Sequence, residues 1–306
     1  MSKAVLIFGY GSIGKRHANI LSKLVNKKNI IILTNQKISK FKTIKNVNAL
    51  KNLNPNYIVI CNRTSNHLQT IKLIEKKFKN KTVLVEKPLF SKPNNIKIKK
   101  NNYYVAYNMR FNPIINLIRE KIKSKKIWSV NIFCGSYLPL WRKNIDYRES
   151  SSARKTFGGG VLLDLSHELD YVQWLFGKLK ILYSKSMKLS NLEINTDDFL
   201  SLIAKTKKIP HIQITLNYFT RQKTRQIFLD GKDICLQADL IKKKVIWYKG
   251  NKKKIFQFKK FDRNTEYKEQ HLAILLKKNS NKLCRFSEGK QLVDLINNIK
   301  FKSRKI

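Results

Sequence analysis

Acidic residues, clustered cysteines and long apolar runs are all scarce in this chain of 306 residues. It has 19 Asp and Glu against 64 Lys and Arg, which gives a formal net charge of +45. No apolar run approaches the roughly 20 residues that a membrane-spanning helix requires. No charged segment followed by a long apolar core precedes the first glycines. We therefore expect neither a signal peptide nor an association with a membrane.

The four cysteines also limit the possibilities. Cys61, Cys134, Cys235 and Cys284 lie far apart, without a C-x-x-C pair or a histidine at the spacing of a metal site. This pattern disfavours a disulfide framework and a zinc site. We expect no metal and a reduced, cytoplasmic location.

The excess of basic residues raises the question of nucleic-acid binding, because neutralisation of phosphates dominates that affinity. Lys, Asn and Ile are abundant in every segment, without a single basic arm or the aromatic and basic pattern of an RNA-binding sheet. A general drift in composition explains this better than a dedicated function. We expect no specific nucleic-acid partner, but an attraction for anionic ligands.

A glycine motif organises the N-terminal half. Gly9, Gly11 and Gly14 form a G-x-G-x-x-G turn between a short apolar run and a helical pattern. In a dinucleotide-binding βαβ unit the first glycine allows a tight turn, the second lets the backbone approach a pyrophosphate, and the third lets helix and strand pack closely. The amides of Gly11, Ser12 and Ile13 would then face the phosphates.

The end of the second expected strand bears on the choice of cofactor. An acidic residue about 20 positions after the glycines usually binds the ribose 2′-hydroxyl of NAD. Thr34 and Asn35 stand there instead, followed by Lys37 and Lys40. We expect NADP or NAD, with NADP favoured.

Two further strand ends carry polar residues. Thr64 and His67 follow the third buried run, and Glu86 and Lys87 follow the fourth, just before Pro88. The carboxyl ends of the strands in a doubly wound sheet form the edge that binds ligands. We expect Thr64, Glu86 and Lys87 near the cofactor. His67 either approaches it too or makes a local hydrogen bond at the start of a helix.

The pattern changes near residue 113. Residues 1–112 alternate buried strands with helices, which predicts an α/β domain with a doubly wound parallel sheet. Residues 113–306 contain helices and, between 179 and 259, strand-like runs, which predicts an α+β domain. We expect two domains with this boundary.

The second domain carries a candidate acid–base pair. After the triple glycine at residues 158–160, the expected helix at 161–176 carries Asp164 and His167 three positions apart. A carboxylate one turn from an imidazole can fix its orientation, as a proton shuttle requires. A surface pair is the alternative interpretation.

A long irregular stretch, residues 136–156, precedes the triple glycine. Trp141 argues against disorder there, and stretches of this length are often functional. Arg148, with Arg142, Arg154 and Lys155, could hold a phosphate or carboxylate of a substrate. Charges exposed to solvent are an equally good explanation.

Together these motifs resemble those of the Gfo/Idh/MocA oxidoreductases, which are named for glucose-fructose oxidoreductase and inositol dehydrogenase. Glu-Lys-Pro and Gly-Gly-Gly-x-x-x-Asp, in this order and at this separation, are the specific ones. The matching segments are residues 9–17, 64–67, 86–88, 107–111 and 158–170.

The resemblance implies an N-terminal Rossmann domain and a C-terminal α+β domain built on a large open, mainly antiparallel sheet. It also implies hydride transfer between NAD(P) and a carbinol carbon of a sugar, nucleotide sugar or cyclitol, and a homodimer or homotetramer formed through that sheet. Lys87 matches the family lysine beside nicotinamide and substrate, and Asp164 matches its aspartate. Asn108 and Arg110 then become candidate substrate contacts, together with Trp141 and Arg148.

The chain departs from the family pattern in two places. The family histidine usually comes four residues after the aspartate, whereas His167 comes three after Asp164 and Glu168 takes the fourth position. His167 is the expected acid–base group, with Glu168 as the alternative or as a substrate contact. Arg63 stands where a proline is common.

Two other functions remain possible. A non-catalytic NAD(P)-binding sensor would keep the glycine turn without needing Lys87, Asp164 and His167. A basic nucleic-acid-binding protein would explain the charge but none of the motifs.

Overall fold

The computed structural model describes residues 3–142 and 145–303. The chain forms two compact units. The first comprises Met1–Phe111 and Asp262–Val293, and the second comprises Asn112–Phe261 and Asp294–Ile306.

Strands and helices both occur throughout the described residues. The strands are β1 Val5–Phe8, β2 Ile30–Leu33, β3 Lys42–Ile44, β4 Tyr57–Ile60, β5 Thr82–Val85, β6 Asn102–Val105, β7 Ile127–Gly135, β8 Lys180–Met187, β9 Phe199–Lys205, β10 His211–Asn217, β11 Thr224–Gly231, β12 Ile234–Asp239, β13 Lys244–Lys249, β14 Lys252–Gln257 and β15 Cys284–Arg285. The helices are α1 Ser12–Leu21, α2 His67–Lys77, α3 Pro113–Lys121, α4 Val161–Asp164, α5 Ser166–Phe176, α6 Arg263–Leu276 and α7 Phe286–Ser303. None of these helices has both the length and the hydropathy needed to cross a membrane.

The sheet of the first unit has the order β15-β6-β5-β4-β1-β2-β3. All its pairings are parallel except that of β15 with β6. Every residue of β1 and β4 is buried, as expected for a parallel sheet covered on both faces. The predicted doubly wound sheet is confirmed.

The strand order reverses at β1, which lies between β2 and β4. In open α/β sheets such a switch point leaves a crevice outside the carboxyl ends of the strands. The glycine turn follows β1, the loop at Asn62 follows β4, and Glu86 follows β5. The local order of elements therefore brings the first group of candidate residues to one edge of the sheet.

Residues 262–293 return to the first unit, whereas the sequence analysis kept them in the second domain. Their strand β15 pairs with β6. Ala273, Ile274 and Leu275 of α6 join the hydrophobic core that contains Val5 and Ile7. Burial of these side chains explains why the segment packs there.

The second unit contains an eight-stranded sheet with the order β14-β13-β12-β11-β7-β10-β9-β8. Only the β7–β10 pair is parallel; the other pairings are antiparallel. Buried and exposed residues alternate along β9 and β10, so one face is packed and the other open. The predicted open, mainly antiparallel sheet is confirmed.

Candidate active site

The glycine turn has the geometry that its sequence predicts. Gly9 has φ +94°, a conformation that favours glycine, and its N–H donates to the Leu33 carbonyl at 3.0 Å. A Cβ on Gly14 would lie 2.3 Å from the Gly9 carbonyl oxygen. Gly9 therefore makes the turn, and Gly14 allows α1 to pack against it.

Gly11 differs from these two glycines. Apart from Gly11 itself and its immediate chain neighbours, no atom of the described residues lies within 4 Å of a Cβ built on Gly11. Within the described residues, no side chain caps the N-terminus of α1, and the first turn of α1 contains no acidic residue. The first-turn amides of Ser12, Ile13 and Gly14 are therefore available to an anion. The turn fits the pyrophosphate of a dinucleotide.

The end of β2 presents polar groups rather than a carboxylate. Thr34 is buried, and its hydroxyl accepts a hydrogen bond from the Gln36 N–H at 3.2 Å, while Asn35 is exposed. Lys40 donates to the Asn19 side chain at 2.8 Å. Asn35 is thus an accessible polar side chain at the end of β2, where an acidic residue usually binds the ribose 2′-hydroxyl of NAD.

His67 is only 1% exposed. Its Nδ1 lies 3.2 and 3.1 Å from the carbonyl oxygens of Pro88 and Leu89, and its Nε2 lies 3.2 Å from that of Asn62. Burial lowers the pKa of His67, while the three carbonyl contacts act in the opposite direction. This geometry fits a local structural role, and we do not retain His67 as a cofactor contact. Thr64 is half-buried at the start of the preceding turn.

Glu86 and Lys87 stand at the end of β5. Glu86 is 7% exposed; its Oε1 accepts from His17 Nε2 at 2.8 Å and its Oε2 accepts from the Lys87 N–H at 3.0 Å. Lys87 is half-buried, and its bond to Pro88 is a cis peptide. Glu86 therefore holds the backbone from which the Lys87 side chain projects.

A chain of buried hydrogen bonds, which we call the histidine relay, runs on from Glu86. It consists of Glu86, His17, His271 and Tyr57. His17 Nδ1 lies 2.8 Å from His271 Nε2, and His271 Nδ1 lies 2.9 Å from the Tyr57 hydroxyl. The bonds are all satisfied if Tyr57 donates to His271, His271 to His17, and His17 to Glu86. Burial and the neighbouring His17 hold the pKa of His271 well below its ordinary value, and burial raises that of Tyr57.

The predicted helix at 161–176 is interrupted. α4 ends at Asp164, Leu165 has φ −96° and ψ 25°, and α5 begins at Ser166. The Ser166 hydroxyl donates to the Leu163 carbonyl at 2.8 Å, in place of regular helical geometry at this point. Asp164 and His167 therefore flank a break and do not share one regular helix.

The start of α4 is fixed by the chain just before β9. The Val161 N–H donates to the Asp197 carbonyl at 2.9 Å, and the Leu162 N–H donates to its carboxylate at 3.1 Å. Gly160 has φ +115°, and a Cβ there would lie 2.4 Å from Asp197 Oδ1. The glycine thus allows Asp197 to approach the backbone that leads to Asp164.

Asp164 is held by a residue that the sequence analysis missed. The Tyr218 hydroxyl donates to Asp164 Oδ2 at 2.6 Å, and Tyr218 is fully buried. Burial, and then the charge of Asp164, hold the pKa of Tyr218 well above its ordinary value, so the hydroxyl remains a donor. No motif in the sequence marks this contact.

His167 and Glu168 occupy different environments although they are adjacent. His167 is partly exposed in the first turn of α5, whereas Glu168 is 0% exposed. Arg225 Nε donates to Glu168 Oε1 at 2.5 Å. Glu168 is therefore shut off from solvent and engaged in an ion pair, whereas the His167 side chain can be reached from solvent. The geometry favours His167 as the acid–base group.

Asn108 and Arg110 are both 3% exposed in the first unit. Asn108 Nδ2 donates to Glu266 Oε2 at 3.4 Å, and Arg110 Nη1 pairs with Glu288 Oε1 at 2.9 Å. These contacts join the end of the first chain segment to the returning one. They fit a structural role better than substrate binding.

The long loop packs against Tyr218, the residue that holds Asp164. The Trp141 indole N–H donates to Ser136 Oγ at 2.7 Å, and its ring meets the Tyr218 ring edge-on at 5.1 Å. Arg148 is exposed and pairs with Asp146 and Glu193 at 2.7 and 3.4 Å. Trp141 is thus brought next to the residue that holds Asp164, while Arg148 is engaged by two carboxylates.

Two family models match the chain. One, described as an oxidoreductase family with an NAD-binding Rossmann fold (GFO_IDH_MocA), matches residues 3–101. The other, the GFO/IDH/MocA C-terminal domain, matches residues 115–235. No curated protein sequence matches significantly.

Solved structures match along the full length at low identity. A levoglucosan dehydrogenase in complex with NADH and levoglucosan is 14% identical, with a TM-score of 0.82 and coverage of 100% of this chain and 98% of that one. The UDP-N-acetylglucosamine 3-dehydrogenase of Acidithiobacillus ferrooxidans is 12% identical (TM-score 0.77; 100% and 99%). The WlbA dehydrogenase of Bordetella pertussis, in complex with NADH and UDP-GlcNAcA, is 15% identical (0.76; 100% and 97%). These similarities establish the fold.

Proposed function

The chain belongs to the Gfo/Idh/MocA oxidoreductase family, and we propose that it transfers a hydride between bound NAD(P) and a secondary alcohol or ketone of a sugar, nucleotide sugar or cyclitol. The observation that carries this proposal is the glycine turn, where Gly11 stands open and the first amides of α1 are uncapped within the described residues. The three similar structures described above are dehydrogenases of sugars and nucleotide sugars, and two of them are in complex with NADH. A sensor would not need Lys87, Asp164 and His167.

The protein must orient the reactants and handle one proton, since the nicotinamide supplies the chemistry of hydride transfer. Lys87 polarises the carbinol oxygen of the substrate. His167 accepts the hydroxyl proton during oxidation and returns it during reduction. Asp164 orients these groups. Acid–base help of this kind contributes about 10²- to 10⁴-fold to the rate.

Variants at the two adjacent positions test this mechanism. His167→Ala should lower turnover about 10²- to 10⁴-fold and leave cofactor affinity unchanged, because the glycine turn and not His167 is proposed to bind the pyrophosphate. Glu168→Gln keeps the shape of the buried side chain and should retain most of the turnover. Oxidation of a panel of sugars and nucleotide sugars, followed by nicotinamide absorbance, measures both. Normal turnover of His167→Ala with an inactive Glu168→Gln would assign the proton to Glu168.

We propose NADP as the preferred cofactor. The first acidic residue of the chain is Glu75, so no carboxylate precedes α2 to bind a ribose 2′-hydroxyl. Asn35 is exposed at the end of β2 and can donate to a 2′-phosphate. Nicotinamide fluorescence should show a lower Kd for NADPH than for NADH, and Asn35→Asp should reverse the order. Tighter NADH binding by the wild type would contradict the preference.

The proposed substrate is sugar-like, and an anionic group on it would suit the strongly basic chain. In the long loop, residues 136–156, Trp141 could pack against a face of the sugar and Arg148 could bind an anionic group on it. Arg148 already pairs with Asp146 and Glu193, so an anionic substrate would have to compete for it. We expect Arg148→Met to change KM for nucleotide sugars more than for neutral sugars.

We also propose a homodimer or homotetramer formed through the open sheet face. One row of cross-strand neighbours on this face carries no charge, although 27% of the chain is charged. Phe228 and Ile255 in this row are 37% and 51% exposed. The row comprises Tyr183, Ile203, Gln213, Asn131, Phe228, Gln237, Ile246 and Ile255.

Burial of such a face against a second copy would remove it from water. Phe228→Glu should therefore lower the mass measured by light scattering to that of a monomer. Val47→Glu, at an exposed apolar residue of the first unit, is the matched control and should not. A wild-type monomer would contradict the proposal.

A further inference from the structure

Asp164 is the last residue of the short helix α4, so the orientation of its carboxylate must be set by contacts outside that helix. Its N–H donates to the Gly160 carbonyl at 3.0 Å, which fixes the backbone. Leu165 then departs from helical geometry. The backbone alone leaves the rotamer of the Asp164 carboxylate undefined, and a second contact must set it.

Tyr218 is well placed to do this because its own position is fixed at both ends. Its N–H donates to the Asp198 carbonyl at 3.0 Å, and its carbonyl accepts from the Leu138 N–H at 2.8 Å. The ring packs edge-on against Trp141, with centroids 5.1 Å apart. Tyr218 is therefore a rigid support rather than a mobile surface side chain.

The chain leaves Tyr218 through a turn that is also fixed. Asn217 Oδ1 accepts from the N–H groups of Phe219 and Thr220 at 3.1 and 2.9 Å, and from the Thr220 hydroxyl at 2.8 Å. Such an Asx turn holds the backbone directly after β10. The segments on both sides of Tyr218 thus resist displacement of its hydroxyl.

A second buried tyrosine shows that the hydroxyl contact is specific. Tyr171 is as fully buried as Tyr218 and lies in the same unit. Its hydroxyl has no hydrogen-bond partner among the described residues. Burial of a tyrosine in this unit therefore does not by itself require a partner for the hydroxyl. The bond from Tyr218 to Asp164, at 2.6 Å, is a separate feature.

We propose that Tyr218 is the positioning residue of the Asp164 carboxylate, which it holds in one direction for the reaction; the inference rests on the proposed function. The hydrogen bond from the Tyr218 hydroxyl to Oδ2 keeps the Asp164 carboxylate from rotating as substrate enters and leaves. Tyr218 acts through Asp164 and does not itself exchange a proton with the substrate. Misplacement of a catalytic group by about 1 Å can cost roughly 10²-fold in rate.

The test compares Tyr218→Phe with Tyr171→Phe, each of which removes one fully buried hydroxyl. Tyr218→Phe should lower kcat about 10- to 100-fold with little change in KM, because positioning and not binding is lost. Tyr171→Phe should leave kcat unchanged. An unchanged kcat in Tyr218→Phe, or an equal loss in Tyr171→Phe, would overturn the inference.

A double-mutant cycle distinguishes positioning from a general structural effect. Tyr218→Phe should cost nothing further in kcat when Asp164→Ala is already present, since the acceptor is gone. If the two losses multiply, Tyr218 does not act through Asp164. The expected non-additivity applies only to this pair; Tyr171→Phe serves as the control in the same background.

Thermal midpoints of the same proteins provide a readout without substrate. Loss of the bond should lower Tm by about 2–4 °C in Tyr218→Phe relative to the wild type. In the Asp164→Ala background, the same substitution should not lower Tm further. A wild type that oxidises no sugar overturns the proposed function, whatever the midpoints show. An active wild type with additive midpoints and unchanged kcat in Tyr218→Phe overturns only the role of Tyr218.

Discussion

The two units hold their carboxylates with different chemistry. In the first, Glu86 accepts from His17, and the histidine relay continues through His271 to Tyr57. In the second, Glu168 pairs with Arg225, and Asp164 accepts from Tyr218. The first group is built on imidazoles, whereas the second depends on a guanidinium and a phenol.

This difference bears on how the two clusters respond to acid. Burial lowers the pKa of His271 and of His67, so both resist protonation in the folded state. Burial disfavours the charge on Arg225, but the Glu168 carboxylate outweighs it and raises the pKa. Burial and Asp164 raise that of Tyr218. Neither Arg225 nor Tyr218 changes protonation between pH 5 and 8.

Breaking the charged pair should have the largest effect on stability. Arg225→Met leaves Glu168 buried without its cation, which should cost about 3–5 kcal/mol of unfolding free energy. Urea denaturation measures it. Arg148→Met removes an arginine that pairs with two carboxylates at the exposed surface, and should change stability little. Equal costs for the two variants would contradict the role of burial.

The sequence predicted those site residues that belong to local motifs. Gly9, Gly14 and Lys87 could be placed because a strand end and a glycine turn are local features. The residues that hold His17 and Asp164 could not be predicted in this way. His271 lies 254 residues from His17, and Tyr218 lies 54 residues from Asp164. Those contacts depend on how distant elements pack.

The choice between His167 and Glu168 shows the same limit. Both lie within one turn, and spacing alone allowed either to be the acid–base group. The buried pair with Arg225, 57 residues away, separates them. The prediction of one continuous helix at 161–176 was wrong for a related reason. The Ser166 hydroxyl donates to the Leu163 carbonyl, and the helix is interrupted at Leu165.

Acidification should have the next largest effect, and it should act through the first unit. The folded-state pKa of His271 lies below the ordinary value of about 6.5 that holds in the unfolded chain. The unfolded state therefore binds more protons as the pH falls below about 6.5, and stability falls by up to about 1.4 kcal/mol per pH unit for this histidine.

The measurement is the slope of unfolding free energy against pH in wild type and in His271→Gln. Removal of the imidazole should reduce the slope below pH 6.5, although the variant is less stable overall. Tyr171→Phe should keep the wild-type slope, because a phenol does not titrate there. An unchanged slope in His271→Gln would place the acid sensitivity elsewhere, with His67 as the next candidate.

The smallest effects should come from single hydroxyls, and they compare the two units at equal burial. Tyr57 and Tyr171 are 1% and 0% exposed. Tyr57→Phe leaves the acceptor nitrogen of His271 without its donor and should cost about 1 kcal/mol. Tyr171→Phe removes a hydroxyl that has no partner among the described residues, so stability should stay equal or rise. Thermal unfolding of both variants decides the matter: if Tyr57→Phe costs nothing, the histidine relay ends at His271 and its proposed direction of donation is incorrect.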